Sequence, residues 1–229
     1  MSDILIAPPA ETHQHHGIRR KFPGGPADLC VTKLAALAAV ARTSESIEPV
    51  IVTFLKDANT LAGLLARTGA RWVQLHAYQP PGVVRAIKAA VPGVAVAKVL
   101  HVRGDTCIEE RFVGAYERAG TDCFLLDVAT EDGRVGSTGQ RLDSWAVARL
   151  ADRLTRPFLL AGGISDEFRS DDKVVVEHPR FLGVDVDSGA RHADGRFDPG
   201  RVAAIGAYWR APVDAGPVDD SFVDEENVA

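Results

Sequence analysis

The sequence predicts an α/β barrel of the (βα)8 type, and three observations lead to that fold class. Apolar runs alternate with helical stretches over residues 50–205, which is the pattern of repeated βα units. The runs are continuously apolar, as parallel strands buried on both faces are. The last two runs each end in glycine, whereas no glycine-rich loop follows the first strand, where an open sheet would carry it. A closed barrel is therefore favoured over an open sheet.

Size, charge and cysteine content narrow the class of protein. The 229 residues and 24.5 kDa suit one barrel domain, predicted for residues 1–211, followed by an acidic tail at 212–229 that is expected to be disordered. A net charge of −5 argues against binding to nucleic acid or to a membrane surface. No apolar run approaches the roughly 18 residues of a membrane span. Three widely spaced cysteines indicate free thiols in a cytoplasmic protein.

Six strands alternate with helices after residue 48. The predicted strands cover residues 49–55, 72–76, 94–100, 123–127, 158–161 and 181–186, and the predicted helices cover 58–68, 81–90, 108–119 and 144–154. Polar residues gather where these strands end, namely His76, Lys98, His101, Asp127, Gly162 and Asp185. Because binding sites of parallel α/β folds form at that edge, these residues are candidates for a site.

The first 48 residues are less regular. Ile4–Pro8 predicts a short strand, Glu11–Gly25 a long loop, and Ala27–Ala41 a helix. The chain therefore shows seven strands, and it is open whether the first βα unit of a barrel is present.

The two strands that end in glycine predict a phosphate pocket. Glycine lets backbone N–H groups approach an anion, and the start of a helix adds a favourable dipole. Asp185 lies within the second of these strands, where an unpaired carboxylate would be costly. A ligand or a fixed hydrogen-bond partner is therefore expected beside Asp185.

Five motifs follow one another in order at barrel spacing. They are Val73-Gln74-Leu75-His76, Phe124-Leu125-Leu126-Asp127, Gly136-Ser137-Thr138-Gly139 with Trp145, Leu160-Ala161-Gly162-Gly163-Ile164, and Gly183-Val184-Asp185-Val186-Asp187-Ser188-Gly189. Over roughly residues 50–205 the chain resembles phosphoribosylanthranilate isomerase of tryptophan biosynthesis, a TIM barrel. Each motif is weak alone, but together they form a fairly specific signal.

The resemblance implies roles for the strand-end residues. Asp127 corresponds to the general acid, which protonates the furanose ring oxygen of an aldose amine and opens the sugar before it becomes a ketose amine. Phosphate binding falls to the backbone of Gly162, Gly163, Ser188 and Gly189. Asp185 falls beside the ribose or the bridging nitrogen. The family reaction uses no cofactor, and neither a cofactor nor a metal is predicted.

The sequence departs from the family at its start. The family's general base is a cysteine in a Lys-Ile-Cys-Gly motif on strand one, and that motif is missing here. The first segment resembles the family's second strand and its Ser-Pro-Arg loop, which makes Arg19 or Arg20 a candidate for binding a substrate carboxylate. On this alignment the first βα unit is absent, so an unusual N-terminal segment, the tail or another chain would have to close the barrel. Exchange of the N-terminal segment between two copies would give a homodimer.

Several residues keep alternative readings. His76 is a candidate for catalysis or for contact with a ligand. Alternatively, it is a histidine of the core whose hydrogen bonds are all made within the protein. Asp127 could instead cap the loop that follows it, and Arg19 and Arg20 could belong to a solvated basic loop. His13, His15 and His16 lack thiolate or carboxylate partners at metal-ligand spacing, but one of them could replace the missing base.

The predicted function is a phosphoribosylanthranilate isomerase-like reaction on a small phosphorylated substrate. Two alternatives stay open. The barrel could act on a related aryl-amine or phosphosugar substrate in specialised metabolism, or it could bind a phosphorylated ligand without turnover.

Overall fold

The computed structural model describes residues 2–7, 15–21, 34–36, 38–40, 43, 48–129, 140–167 and 170–209, with the backbone alone for 2–7 and 15–21. The predicted tail at 212–229, the motif at 136–139, and His13 and Cys30 lie outside these residues. The described strands are β1 Ser2–Ala7, β2 His15–Lys21, β3 Glu48–Thr53, β4 Trp72–Leu75, β5 Ala95–Arg103, β6 Thr106–Cys107, β7 Cys123–Val128, β8 Phe158–Leu160 and β9 Phe181–Asp185. The helices are α1 Ala58–Thr68, α2 Pro81–Ala90, α3 Val113–Ala119, α4 Ser144–Ala151, α5 Lys173–Val176 and α6 Pro199–Tyr208.

Eight of these strands form a closed ring, with the order β4-β3-β1-β2-β9-β8-β7-β5 and a further pairing of β4 with β5. The pairings of β3 with β4, β4 with β5, β5 with β7, β7 with β8 and β8 with β9 are all parallel. Helices follow most of these strands, so the α/β barrel predicted from the apolar runs is confirmed. The short strand β6 forms a hairpin with the end of β5 outside the ring.

The N-terminal part of the ring differs from the expectation. Strand β1 pairs antiparallel with both β2 and β3, and β2 then pairs parallel with β9. The predicted loop at Glu11–Gly25 was wrong in part, since residues 15–21 form a strand, and the count of seven ring strands becomes eight. The polar residues of β2 do not form the apolar pattern that predicts a strand. The strand forms because its backbone is hydrogen-bonded to two neighbouring strands, which its own sequence does not indicate. The gap that suggested exchange between two copies is thus closed within one chain.

Local sequence explains where the helices begin. Asp57 and Asp143 cap α1 and α4 by accepting a backbone N–H three residues on, and Pro81 begins α2. The predicted helix at 108–119 forms its α-helical part only from Val113 onward, after a 3-10 turn. Helix α6 was not predicted, although Asp198 caps it and Pro199 begins it.

The apolar side chains pack in two layers on either side of the strands. Phe124 and Leu126 of β7 belong to the outer layer against the helices, whereas Leu125 belongs to the inner layer, with Val99 and Leu159 of neighbouring strands. Side chains along a strand alternate between its faces. Residues at even steps from Leu125 and Val99 therefore face the barrel interior, and these include Asp127 and His101.

Candidate functional site

Asp127 lies at the carboxyl end of β7, inside the barrel and only 4% exposed. Its Oδ1 accepts the backbone N–H of Val128 at 2.8 Å, so it does take part in local capping. Its Oδ2 lies 3.4 Å from Nε2 of His76, which directly follows β4. The structure thus brings together two of the predicted site residues, which are about fifty positions apart in the sequence.

The orientation of His76 is fixed by its neighbours. The amide nitrogen of Gln74 lies 3.1 Å from Nδ1 of His76, and the backbone N–H of His76 donates to the carbonyl of Thr53. The Phe54 ring packs on the imidazole with centroids 5.0 Å apart. Because an amide nitrogen can only donate, Nδ1 accepts from Gln74, and Nε2 carries the proton and faces the carboxyl of Asp127.

A second imidazole, that of His101, stands opposite Asp127 in the register of β5 and β7. Its Nδ1 lies 2.6 Å from Oε1 of Glu109, and its backbone N–H donates to Oε2 of the same carboxyl at 2.9 Å. The rings of His76 and His101 are 6.1 Å apart and nearly perpendicular. Glu109 had no predicted role, since it reaches the site only through the β5–β6 hairpin. The four residues Gln74, His76, His101 and Asp127 are called the side-chain half of the mouth below.

Lys98 was predicted at the site edge, but it lies on the outer face of β5. Its ammonium donates to the carbonyls of Ala77 and Val99, lies 4.0 Å from Oε1 of Glu109, and sits over the ring of Tyr116. Burial lowers the pKa of Lys98 to about 8, against the raising effect of Glu109. Lys98 therefore supports Glu109 from behind and does not face the barrel interior.

Gly162, Gly163, Ser188 and Gly189 form the other side of the mouth, called the glycine half below. They follow β8 and β9, and a Cβ on Gly189 would lie only 1.9 Å from the carbonyl oxygen of Ile164, so the two turns touch. Among the described residues, the N–H groups of these four residues donate no hydrogen bond. The half thus offers several backbone donors at one place, as an anion site requires.

Close packing explains why Gly162 and Gly163 are glycines. Both have a positive φ, of 91° and 58°. A Cβ would lie 2.5 Å from the Val128 side chain at Gly162 and 2.6 Å from the Arg141 side chain at Gly163. Any other residue would be strained and would push these turns away from the segment beneath them.

A buried ion pair supports this segment. Arg141 pairs with Asp172, whose Oδ1 also accepts the hydroxyl of Ser144 at 2.9 Å. The Arg141 guanidinium also donates to the carbonyl of Glu167. Asp172 is only 3% exposed, although it lies in a run of charged residues.

Asp185 is buried at the end of β9, in register with Gly17 of β2. A register shift lets one extra residue of β9 oppose β8 between Phe181 and Gly183. Such a bulge moves the following side chains to the other face. Val184 and Val186 belong to the outer apolar layer, which leaves Asp185 on the inner face.

Arg19 and Arg20 lie on β2, opposite Leu5 and Ile4 of β1. Because β2 runs parallel to β9 and Gly17 pairs with Asp185, the backbone of both arginines continues toward the carboxyl end of the barrel. His15 and His16 also lie on β2 and not in a loop. In the described part of the chain no group of three or more metal-ligating side chains is found, and no helix is long and apolar enough to cross a membrane.

The fold and the mouth define a class: a (βα)8-type barrel whose candidate active site lies at the carboxyl ends of its strands. The family model for N-(5'phosphoribosyl)anthranilate (PRA) isomerase matches residues 31–205. The chain is 33% identical over 158 residues to N-(5'-phosphoribosyl)anthranilate isomerase 2 of Methanosarcina mazei, covering 68% of this chain and 67% of the relative. It is 31% identical over 200 residues to the isomerase of Afipia carboxidovorans, covering 86% and 81%. The chain belongs to the phosphoribosylanthranilate isomerase family, which confirms the resemblance seen in its motifs.

Solved structures agree with this assignment. TrpF from Jonesia denitrificans superposes with a TM-score of 0.56 at 25% identity, covering 78% of both chains. Phosphoribosyl anthranilate isomerase from Thermococcus kodakaraensis superposes with a TM-score of 0.57 at 25% identity, covering 78% of this chain and 82% of that one.

Proposed function

We propose that this protein is an isomerase that converts a phosphorylated aldose amine into the corresponding ketose amine, as N-(5'-phosphoribosyl)anthranilate isomerases of tryptophan biosynthesis do. The observation that carries the proposal is the buried pair of Asp127 and His76, whose Oδ2 and Nε2 atoms lie 3.4 Å apart at the carboxyl end of the barrel. A carboxyl held inside a barrel mouth can transfer a proton without competition from bulk water.

Asp127 is proposed as the general acid. It would protonate the ring oxygen of the sugar, which breaks the bond from that oxygen to C1 while the lone pair of the amine forms a C=N bond. His76 would hold Oδ2 in place, because its own Nδ1 is fixed by Gln74. The hydrogen bond from Val128 to Oδ1 leaves Oδ2 as the oxygen for proton transfer.

The glycine half is proposed as the phosphate site. The N–H groups of Gly162, Gly163, Ser188 and Gly189, which donate to no other described residue, support this role, since phosphate oxygens are strong acceptors. Asp185 is proposed to contact the ribose or the bridging nitrogen between the two halves. Arg19 or Arg20 is proposed to bind a substrate carboxylate, which the course of β2 toward the mouth supports.

The proposal also includes the cofactor requirement, the location and the oligomeric state. No cofactor is proposed, since the steps are proton transfers that side chains can carry out. A cytoplasmic location is supported by the family's biosynthetic role and by the free, buried thiols of Cys107 and Cys123. A homodimer remains a prediction, to be tested by the mass in solution.

The test is turnover of phosphoribosylanthranilate, followed by the loss of anthranilate fluorescence. Asp127→Asn keeps the shape of the side chain but cannot supply the proton, so the rate should fall by about 10²–10⁴. Asp152→Asn is the matched control, because the Asp152 side chain is 74% exposed at the end of α4, and it should keep full activity. Equal rates for wild type and Asp127→Asn would overturn the proposal. Ligand binding without turnover would favour the non-catalytic alternative.

A further inference from the structure

The two ring nitrogens of His101 have different surroundings inside the barrel. Its side chain is 0% exposed, and among the described residues its Nε2 has no hydrogen-bond partner. Buried polar atoms are rarely left without a partner, so such an atom at a site mouth calls for an explanation. A ligand that enters the mouth would supply the missing partner.

The Glu109 carboxylate decides which nitrogen of His101 carries the proton. An ionised carboxylate only accepts hydrogen bonds, and both oxygens of Glu109 are directed at His101, one at Nδ1 and one at the backbone N–H. Nδ1 is therefore the protonated nitrogen, and the lone pair lies on Nε2. The imidazole is set up as a proton acceptor.

The two histidines of the mouth thus carry their protons on different ring nitrogens. Gln74 donates to Nδ1 of His76, which places the proton on Nε2, next to Asp127. His101 instead presents a lone pair, and it faces Asp127 across the pairing of β5 with β7. An acid and a base on neighbouring strands can reach the same sugar.

We propose that His101 is the general base of this enzyme and that Glu109 is its positioning residue, an inference that rests on the isomerase function proposed above. It accounts for proton abstraction in a chain that has no Lys-Ile-Cys-Gly motif.

The chemical step balances without a further reactant. After Asp127 has protonated the ring oxygen, the open sugar carries a protonated C=N bond at C1. Nε2 of His101 takes the proton from C2, the C–H electrons form a C1=C2 bond, and the C=N electrons return to nitrogen. The enol then loses its hydroxyl proton while C1 gains one, which gives the ketone at C2. Asp127 has lost one proton and His101 has gained one, so transfer of that proton back to Asp127 resets the site.

Lys98 completes the arrangement from the outer face of the barrel. Its ammonium lies 4.0 Å from Oε1 of Glu109, so it attracts the carboxylate that is hydrogen-bonded to His101. The Tyr78 ring packs on the imidazole with centroids 4.5 Å apart, which restricts its rotation.

The test compares His101→Ala and the shape-conserving His101→Asn with the wild type. Both should lower kcat by about 10²–10⁴ with little change in KM, because binding is retained while proton abstraction is lost. Added imidazole should restore part of the activity of His101→Ala, and substrate deuterated at C2 should show a larger isotope effect in both variants. His178→Asn is the matched control, since His178 follows α5 at the opposite end of the barrel and pairs with Asp152.

Glu109→Gln tests the positioning role. It should lower kcat without raising KM, and adding it to His101→Ala should cause no further loss, because the two residues act as one unit. Circular dichroism identifies any variant that fails to fold. If His101→Ala does not fold, the kinetics of His101→Asn decide whether His101 is the base.

The outcomes separate the two proposals. The assignment of His101 alone would be overturned if the wild type turns over substrate and His101→Asn keeps a rate within about threefold of the wild-type rate. In that case imidazole would also give no rescue and the isotope effect would not increase. No turnover by wild type would refute the isomerase function, and the role of His101 with it. Loss of turnover with imidazole rescue supports both.

Discussion

The two halves of the barrel mouth are built on opposite principles. The side-chain half uses polar side chains that are buried and fixed by hydrogen bonds, as in the pairs His76–Gln74 and His101–Glu109. The glycine half uses backbone N–H groups and depends on the absence of side chains, as the contact of Gly189 with Ile164 shows. Chemical selectivity and anion binding therefore place different demands on a sequence. One needs a few particular functional groups, and the other needs space.

The two halves also rest on different supports. Behind the side-chain half lies Lys98, a buried cation next to Glu109. Beneath the glycine half lies the ion pair of Arg141 with Asp172. Variants of these supports should therefore damage one half and spare the other.

The largest effect on stability is expected for Asp172→Ala. This change leaves the largely buried Arg141 guanidinium without its carboxylate and also removes the partner of Ser144, which should lower the free energy of unfolding by about 3–5 kcal/mol. It should also raise KM, because Gly163 packs on Arg141. Urea unfolding and steady-state kinetics measure the two effects.

Glu177→Ala serves as the comparison for that variant. It breaks the exposed pair of Lys173 and Glu177 on the neighbouring helix, which should change stability by less than about 1 kcal/mol. If Asp172→Ala and Glu177→Ala lowered the free energy of unfolding and raised KM to a similar extent, the Arg141–Asp172 pair would not support the glycine half.

A smaller, pH-dependent effect is expected for Lys98. Its pKa is about 8 in the folded protein and near the ordinary value of 10.5 when unfolded. Between these two values the unfolded chain binds more protons, so the free energy of unfolding gains from Lys98 as the pH rises, by up to roughly 3 kcal/mol. Wild type should become more stable relative to Lys98→Met from pH 8 upward.

The comparison with Lys98→Met is needed because other groups act in the opposite direction. Burial raises the pKa of Cys107 to about 11 and that of Cys123 to about 12, so both thiols reduce stability above their ordinary pKa near 9. Both proteins share this loss. A constant difference between them from pH 7 to 10 would contradict the role given to Lys98.

The smallest effect is expected for Gly189→Ala. The new Cβ would approach the Ile164 carbonyl to 1.9 Å, and the shift that relieves this contact should cost about 1–3 kcal/mol. KM should rise more than kcat falls, because only the glycine half is disturbed. Gly63→Ala, in open space on α1, should instead stabilise by about 0.5–1 kcal/mol. A drop in kcat alone for Gly189→Ala would show that the two halves are not independent.

The parallel part of the barrel could be predicted from the sequence because its strands are continuous apolar runs and its helices carry periodic apolar residues. The helix Ala58–Thr68 and the helix Pro81–Ala90 were predicted with the observed bounds. Asp127 and His76 were found because a polar residue at the end of an apolar strand stands out. The glycine half was recognisable from its two Gly-containing strand ends.

The partners within the site could not be predicted in this way. Glu109 stands eight residues after His101 beyond a hairpin, and Asp172 stands 31 residues after Arg141. No periodicity links such positions. Lys98 was predicted at the end of its strand, but β5 continues to Arg103 and the Lys98 side chain lies on its outer face.

The six parallel strands, most of the helices between them and the positions of Asp127 and the glycines follow from the sequence alone. These features depend on local patterns of apolar, polar and glycine residues, which can be read along the chain. How the ring closes through the antiparallel strand β1, and which groups surround each histidine, became visible only in the folded chain. Both depend on hydrogen bonds between segments that are distant in the sequence, and only the folded chain brings those segments together.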